Sequence, residues 1–270
     1  MKDLTVTLIQ THLQWEDKAA NLHLLEQQIR RLDVPTNVVV LPEMFSTGFS
    51  MAPERLAEPM EGPTVAWMRH LAAEKRVIIT GSIIVAETDT ATGAPHCYNR
   101  LIWMLPNGQY GFYDKRHLFA YAGEDRHYTA GSKRLIAAAN GWRLNLQVCY
   151  DLRFPVWARQ ASAAAPEYDV LVYVANWPAR RSHAWRTLLQ ARAIENQCYV
   201  VGVNRVGADG NGIAHSGNSM VVDPLGEILF EAVDTETVHT CTLSRERLLQ
   251  VREQLPFLRD GDAFTLHAGA

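Results

Sequence analysis

Three chemically capable residues stand at or just beyond the ends of strand-like runs. Cys149 closes the run Leu144 to Val148 and is followed by Tyr150-Asp151-Leu152-Arg153-Phe154-Pro155, a charged turn ending in proline. Glu43 follows the apolar run Val38 to Leu41 and Pro42, and Lys115 follows Tyr110 to Asp114. A thiol, a carboxylate and an ammonium are the parts of a covalent-catalysis site: nucleophile, proton carrier and charge stabiliser. Taken singly, each has a plainer reading. A free cysteine is often a small buried hydrophobe, and Cys97, Cys198 and Cys241 keep that reading. Lys115 alone reads as a solvated lysine, as does Glu124 within Ala122-Gly123-Glu124-Asp125-Arg126 as a surface glutamate. Glu43 differs, because Met44, Phe45 and Phe49 surround it in sequence. A partly buried carboxylate suited to moving protons near neutral pH is expected there.

Short β-branched runs alternate with helical patterns along the chain. Strands are expected at Leu4 to Gln10, Asn37 to Leu41, Val77 to Val85, Asn99 to Leu105, Arg143 to Cys149 and Asp169 to Ala175. Four more are expected at Cys198 to Asn204, Asn218 to Val222, Ile228 to Glu231 and Val238 to Leu243, the last three as an antiparallel meander. Helices are expected at Asp17 to Leu32, from Pro63 with Val65, Met68 and Leu71 inward, at Pro155 to Ser162, and at Ser182 to Asn196 with Ser182 as cap. The rhythm is β-α-β-α-β before Lys115 and again after it. Many strands with few long helices suit a layered α/β protein, two sheets covered by outer helices. Ligands of open α/β sheets sit beyond the carboxyl ends of strands, where Glu43 and Cys149 fall.

Composition removes several function classes. The 270 residues carry a net charge of −3, with 47% hydrophobic and 20% charged residues, so no basic footprint for nucleic acid exists. Apolar runs fall short of the ~20 residues of a membrane span, and Met1 to Val6 enters a strand without signal-peptide features. The four cysteines form no CxxC pair, which suits reduced thiols in a cytoplasmic protein. Ten histidines are dispersed without HExxH spacing, so no metal site is expected. Gly207-Ala208-Asp209-Gly210-Asn211-Gly212 reads as a turn between strands, not as a phosphate-cradling loop.

Together, Leu41-Pro42-Glu43, Tyr113 to Leu118 and Cys149 to Pro155 resemble the three signatures of the nitrilase superfamily of carbon–nitrogen hydrolases. Tyr98-Asn99, Ala175 to Pro178 and Arg192 to Asn196 extend the resemblance, which runs from about Val6 to about Leu243. The finer match, through His117 to Phe119, Gly123-Glu124, His127 to Gly131 and Val148 to Trp157, is to bacterial omega-amidases. Val156 departs from the acidic residue that many relatives carry after Phe-Pro.

The resemblance implies a four-layer αββα sandwich formed by a single domain over residues 1–270. It implies that Glu43, Lys115 and Cys149 converge, with Glu124 as a supporting glutamate and Asp125 as its near competitor. It also implies a homodimer, with the tail from about 244 to 270 at the subunit interface, and no cofactor. The expected reaction is hydrolysis of the terminal amide of 2-oxoglutaramate and similar α-keto acid ω-amides. An N-carbamoyl amino acid or other aliphatic amide hydrolase is the alternative. A non-catalytic interaction protein has no need for the full Glu43–Lys115–Cys149 set. The backbone N–H of Tyr150 is the expected partner of Lys115 at the oxyanion. Arg153 is the candidate for the far end of the substrate, beside Arg116 and Arg180, with Trp177 as an apolar wall.

Overall fold

The expected two-part rhythm is built as two sheets, each with three adjacent parallel strands. The computed structural model describes residues 2–88, 93–160 and 166–266. Strands β1 (Leu4–Gln10), β2 (Val38–Val40) and β3 (Ile78–Thr88) run parallel, and β4 (Pro95–Met104) and β5 (Tyr110–Asp114) continue the sheet antiparallel. The second sheet starts with the hairpin β6 (Leu135–Ala139) and β7 (Trp142–Val148). Strands β8 (Val170–Val174) and β9 (Tyr199–Val203) extend β7 in parallel. Antiparallel β10 (Val206–Ala208), β11 (Ala214–Val222) and β12 (Ile228–Val233) complete that sheet.

β13 (Thr237–Leu243) corrects the expected meander. It leaves β12 and pairs with β1 in the first sheet, Leu4 opposite Leu243 through Gln10 opposite Thr237. The crossing closes the open edge of β1, where Leu243 is buried and Thr7 meets Thr240 through a 2.8 Å hydroxyl contact.

Inner faces of the two sheets share one core, in which Val6, Val38, Val40 and Leu101 join Leu144, Leu146, Val172 and Val174. The outer face of the first sheet is covered by helices Lys18–Arg30 and Pro63–Lys75. Asp17 caps the former, its carboxylate accepting from Ala20 N at 3.0 Å. Pro63 opens the latter, which buries Val65, Met68, Leu71 and Ala72 on one stripe. Full burial of each large apolar side chain contributes ~1.5–3 kcal/mol.

Helix Ser182–Asn196 covers the second sheet with Trp185, Leu189 and Ala193, four residues apart. It packs so closely on β9 that a Cβ at Gly202 would lie 2.5 Å from Leu189 Cδ1. The resulting order, helix–sheet–sheet–helix, is the αββα sandwich.

Two helix expectations need correction. Ser182 is the first helical residue, and the cap position belongs to Arg181, whose side chain makes no capping bond. The 3-10 turn Ala179–Arg181 feeds the helix instead, with Arg181 N donating to Pro178 O at 2.9 Å. The helix from Pro155 ends at Ala158 because Arg159 is extended, and Ser162 lies outside the described residues. Beyond β13, helix Arg245–Gln254 packs on its own chain, burying Leu248 and Val251. Arg252 and Arg245 both reach Asp169, at 2.9 and 3.2 Å. Burial disfavours the Asp169 carboxylate, but the Arg143 N–H and these guanidiniums outweigh it and hold its pKa below the usual value.

Candidate active site

Glu43 lies on the turn after β2, where Met44 adopts φ +43° and its N–H donates to Ser82 Oγ at 2.8 Å. That turn drives the Glu43 carboxylate inward, to 0% exposure rather than the partial burial expected from sequence. Lys115 follows β5. Its N–H donates to Asn99 O, and its carbonyl accepts from Gly131 N. Both contacts press the ammonium into the interior, where the residue is only 1% exposed. Glu124 enters from a one-turn helix, Glu124–His127, that begins after Gly123 turns at φ +78°. Asp125, its neighbour, is exposed.

Lys115 Nζ lies 2.9 Å from Glu43 Oε1 and 3.0 and 2.9 Å from the two oxygens of Glu124. Asn99 Nδ2 bridges the same carboxylates, at 2.8 Å from Glu43 and 3.1 Å from Glu124. Glu43 Oε2 accepts from Asn176 N at 2.8 Å, and Glu124 Oε2 from Phe119 N at 2.6 Å. Burial penalises the Lys115 ammonium, but the charges of Glu124 and Glu43 more than reverse this, so it stays protonated. For Glu124, burial is the largest influence and raises its pKa. Lys115 opposes that rise, and Glu43 adds to it.

Cys149 stands where β7 turns into the 3-10 segment Cys149–Arg153, at φ +46°. A left-handed cysteine is strained by ~1–3 kcal/mol, and such strain persists where neighbours dictate the geometry. Here Asp151 dictates it. Its buried carboxylate accepts from Val148 N at 3.0 Å, Tyr113 OH at 2.7 Å, His117 N at 3.0 Å and His117 Nδ1 at 2.8 Å. One side chain thus ties the turn that carries Cys149 to the loop that carries Lys115. The thiol pKa is pushed well up, first by burial and then by the charge of Glu43, while Lys115 pulls it down. At neutral pH Cys149 is therefore a thiol. A thiol that is to attack needs a base at that moment, and Glu43 is the carboxylate that acts on it most strongly.

A cavity of about 230 Å³ opens over Cys149, with Lys115, Tyr150 and Trp177 in its lining. Arg153 and Arg180 line it too, whereas Arg116 is directed elsewhere. The Arg116 guanidinium donates to Gly131 O at 3.1 Å and lies 5.6 Å from the Trp157 ring centre. Sequence reasoning gave no role to Asn99, Asn176, Asp151 or Arg181. Asn99, Asn176 and Asp151 lay in segments that carried the family resemblance, but a lone asparagine or aspartate has no spacing that marks it. Among the described residues, no group of three or more His, Cys, Asp or Glu could hold a metal ion. None of the described helices is long and apolar enough to cross a membrane.

An αββα sandwich with a buried Glu–Lys–Glu cluster beside a strand-end cysteine has the parts of a hydrolase that cleaves carbon–nitrogen bonds. Residues 5–253 match the family described as Carbon-nitrogen hydrolase, and the chain belongs to that family. It is similar to Omega-amidase YafV of Yersinia enterocolitica, with 44% identity over 98% of this chain and 100% of that protein. Similarity to the 2-oxoglutaramate amidase of Bacillus subtilis (strain 168) is 30% identity, over 95% of this chain and 96% of that protein. Among solved structures, XC1258 from Xanthomonas campestris, a CN-hydrolase superfamily protein, superposes with a TM-score of 0.94. Their identity is 44%, covering 99% of this chain and 100% of that one.

Proposed function

We propose that this enzyme is an omega-amidase that hydrolyses the terminal amide of 2-oxoglutaramate and related α-keto acid ω-amides. The observation that carries this reading is a Glu43–Lys115–Glu124 cluster closed to water beside the Cys149 thiol, under a cavity of small-molecule size. The omega-amidase and 2-oxoglutaramate amidase relatives support the substrate class.

Cys149 Sγ attacks the amide carbonyl while Glu43 takes the thiol proton. The oxyanion forms against Lys115 and the Tyr150 N–H, donors of a kind worth ~2.7–4 kcal/mol each in the transition state. Collapse breaks the C–N bond, Glu43 gives its proton to the departing nitrogen, and ammonia leaves a thioester on Cys149. Glu43 next deprotonates a water that attacks the thioester. The C–S bond breaks, the thiol is reprotonated, and the carboxylic acid departs. Glu124 acts through Lys115, holding the ammonium in place. No step needs a metal or an organic cofactor. Trp177 walls the substrate, and Arg153 offers a cation at the cavity rim.

Ammonia release from 2-oxoglutaramate, glutamine, N-carbamoyl-β-alanine and a simple nitrile tests the reading. The kcat/KM for 2-oxoglutaramate is expected to exceed each of the others by at least about tenfold, since the site must discriminate through polar groups. Preference for N-carbamoyl-β-alanine would replace the reading with a carbamoyl hydrolase.

We also propose a single domain over the whole chain, a homodimer, and residence in the cytoplasm. Four free thiols suit a reducing compartment. Phe257 (61% exposed) and Leu249 (37%) leave apolar surface on the tail after it has docked on its own chain, and a partner could cover it. Sedimentation as a monomer at micromolar concentration would overturn the dimer.

A further inference from the structure

Three guanidiniums, of Arg153, Arg180 and Arg181, line the cavity in front of Cys149. Among the described residues, no carboxylate lies within ion-pairing distance of any of them. Asp209 is the one carboxylate in the described lining, and its Oδ1 is engaged by Asn211 N and Ile213 N, both at 2.9 Å, within its own turn. Lys115 is neutralised from behind by Glu43 and Glu124. The cavity mouth therefore carries surplus positive charge that the protein itself does not satisfy.

The three arginines are not equivalent. Arg153 and Arg180 are exposed, so water already screens them. Arg181 is half-buried, with its guanidinium carbon 5.1 Å from the Phe119 ring centre. Its backbone is bolted to the cavity wall, Arg181 N donating to Pro178 O at 2.9 Å and Arg181 O accepting from Trp177 Nε1 at 2.8 Å. Burial, then the neighbouring Arg180, lowers its pKa from the ordinary arginine value, while the Cys149 sulfur is near enough to act in the opposite sense. A partly desolvated cation without a counter-ion is unfavourable, and the fold gains by supplying the anion with the ligand. A guanidinium resting on a ring keeps in-plane N–H donors free to meet a carboxylate two at a time.

We infer that Arg181 anchors the free carboxylate at the end of the substrate remote from the scissile amide, with Arg153 and Arg180 drawing the anion in from the mouth. The inference rests on the amidase reading above and adds the residue that measures its substrate. It has a consequence for selectivity. An α-amino acid ω-amide brings an ammonium group toward three cations, whereas a keto acid or unsubstituted ω-amide does not.

The test compares succinamate, which carries a carboxylate, with butyramide, a neutral amide of the same length. For Arg181→Met, the ratio of kcat/KM for succinamate to that for butyramide is expected to fall roughly 100-fold, the scale for losing one partner of a desolvated charge pair. Arg181→Lys retains charge without the fork and is expected to lose roughly tenfold. Arg153→Met should move the ratio less than about fivefold, because its charge is solvent-screened. Thermal melting confirms that each variant is folded, and Arg181→Lys carries the test if Arg181→Met does not fold. An unchanged ratio in a folded Arg181 variant overturns the inference, as does a larger loss in Arg153→Met. A wild-type enzyme that does not prefer succinamate would instead sink the omega-amidase reading itself.

Discussion

Replacing Cys149 by alanine is expected to reduce amide hydrolysis by roughly 10⁵- to 10⁶-fold, the scale on which an enzyme loses its nucleophile. Serine should fare little better. The site holds even a thiol in its neutral form through burial and the Glu43 charge, and a hydroxyl in the same place is a far weaker acid. The fold should survive either change, because Cys149 borders the cavity and only one atom is altered or lost. Asp151 fixes the turn through Val148 N, Tyr113 OH and His117, none of which involves the sulfur. Ammonia release measured beside thermal melting checks both halves. Turnover within tenfold of wild type, in a protein with unchanged melting, would remove Cys149 from the mechanism.

Why the elements around Cys149 could be read from sequence is a matter of period and burial. Strands β8 and β9 are apolar on both faces because sheets and helices enclose them, so they stand out as runs. Helix Pro63–Lys75 carries its apolar stripe behind a starting proline. β13 could not be placed, because a strand's sequence records alternation and not which edge it joins. β6 and β10 were missed for a different reason. Ala137, Ala138 and Ala139 lack β-branched signal, and β10 has only three residues. At the site, the strand-end positions of Glu43, Lys115 and Cys149 made them candidates, and their convergence was expected only from the resemblance of their three segments to the nitrilase signatures. Asn99 and Asp151 were not legible, since they act by bridging segments 25 to 56 and 34 to 38 residues away, respectively. Such partners exist only once the chain has folded.

Lys115→Met is expected to cause two separable losses. The first is catalytic, about 10²- to 10³-fold in kcat, through removal of a charged donor at the oxyanion. The second is structural. Without the ammonium, Glu43 and Glu124 face one another at 0% exposure with only Asn99 between them, and breaking a buried ion cluster costs about 3–5 kcal/mol. Protonation relieves part of that cost. The Glu124 pKa is already raised by burial and by Glu43, and the Lys115 charge that opposes the rise is gone in the variant. A carboxyl with a raised folded-state pKa contributes stability below its unfolded value, ~4.3, and loses it as pH rises through the folded value. The melting deficit of Lys115→Met relative to wild type should therefore shrink on acidification and widen toward neutral pH. Adding Glu124→Gln to Lys115→Met removes one of the two buried charges, and should recover much of the melting temperature at neutral pH without recovering kcat. Turnover that returned together with stability would make Lys115 a structural counter-ion and leave the oxyanion to the Tyr150 N–H alone.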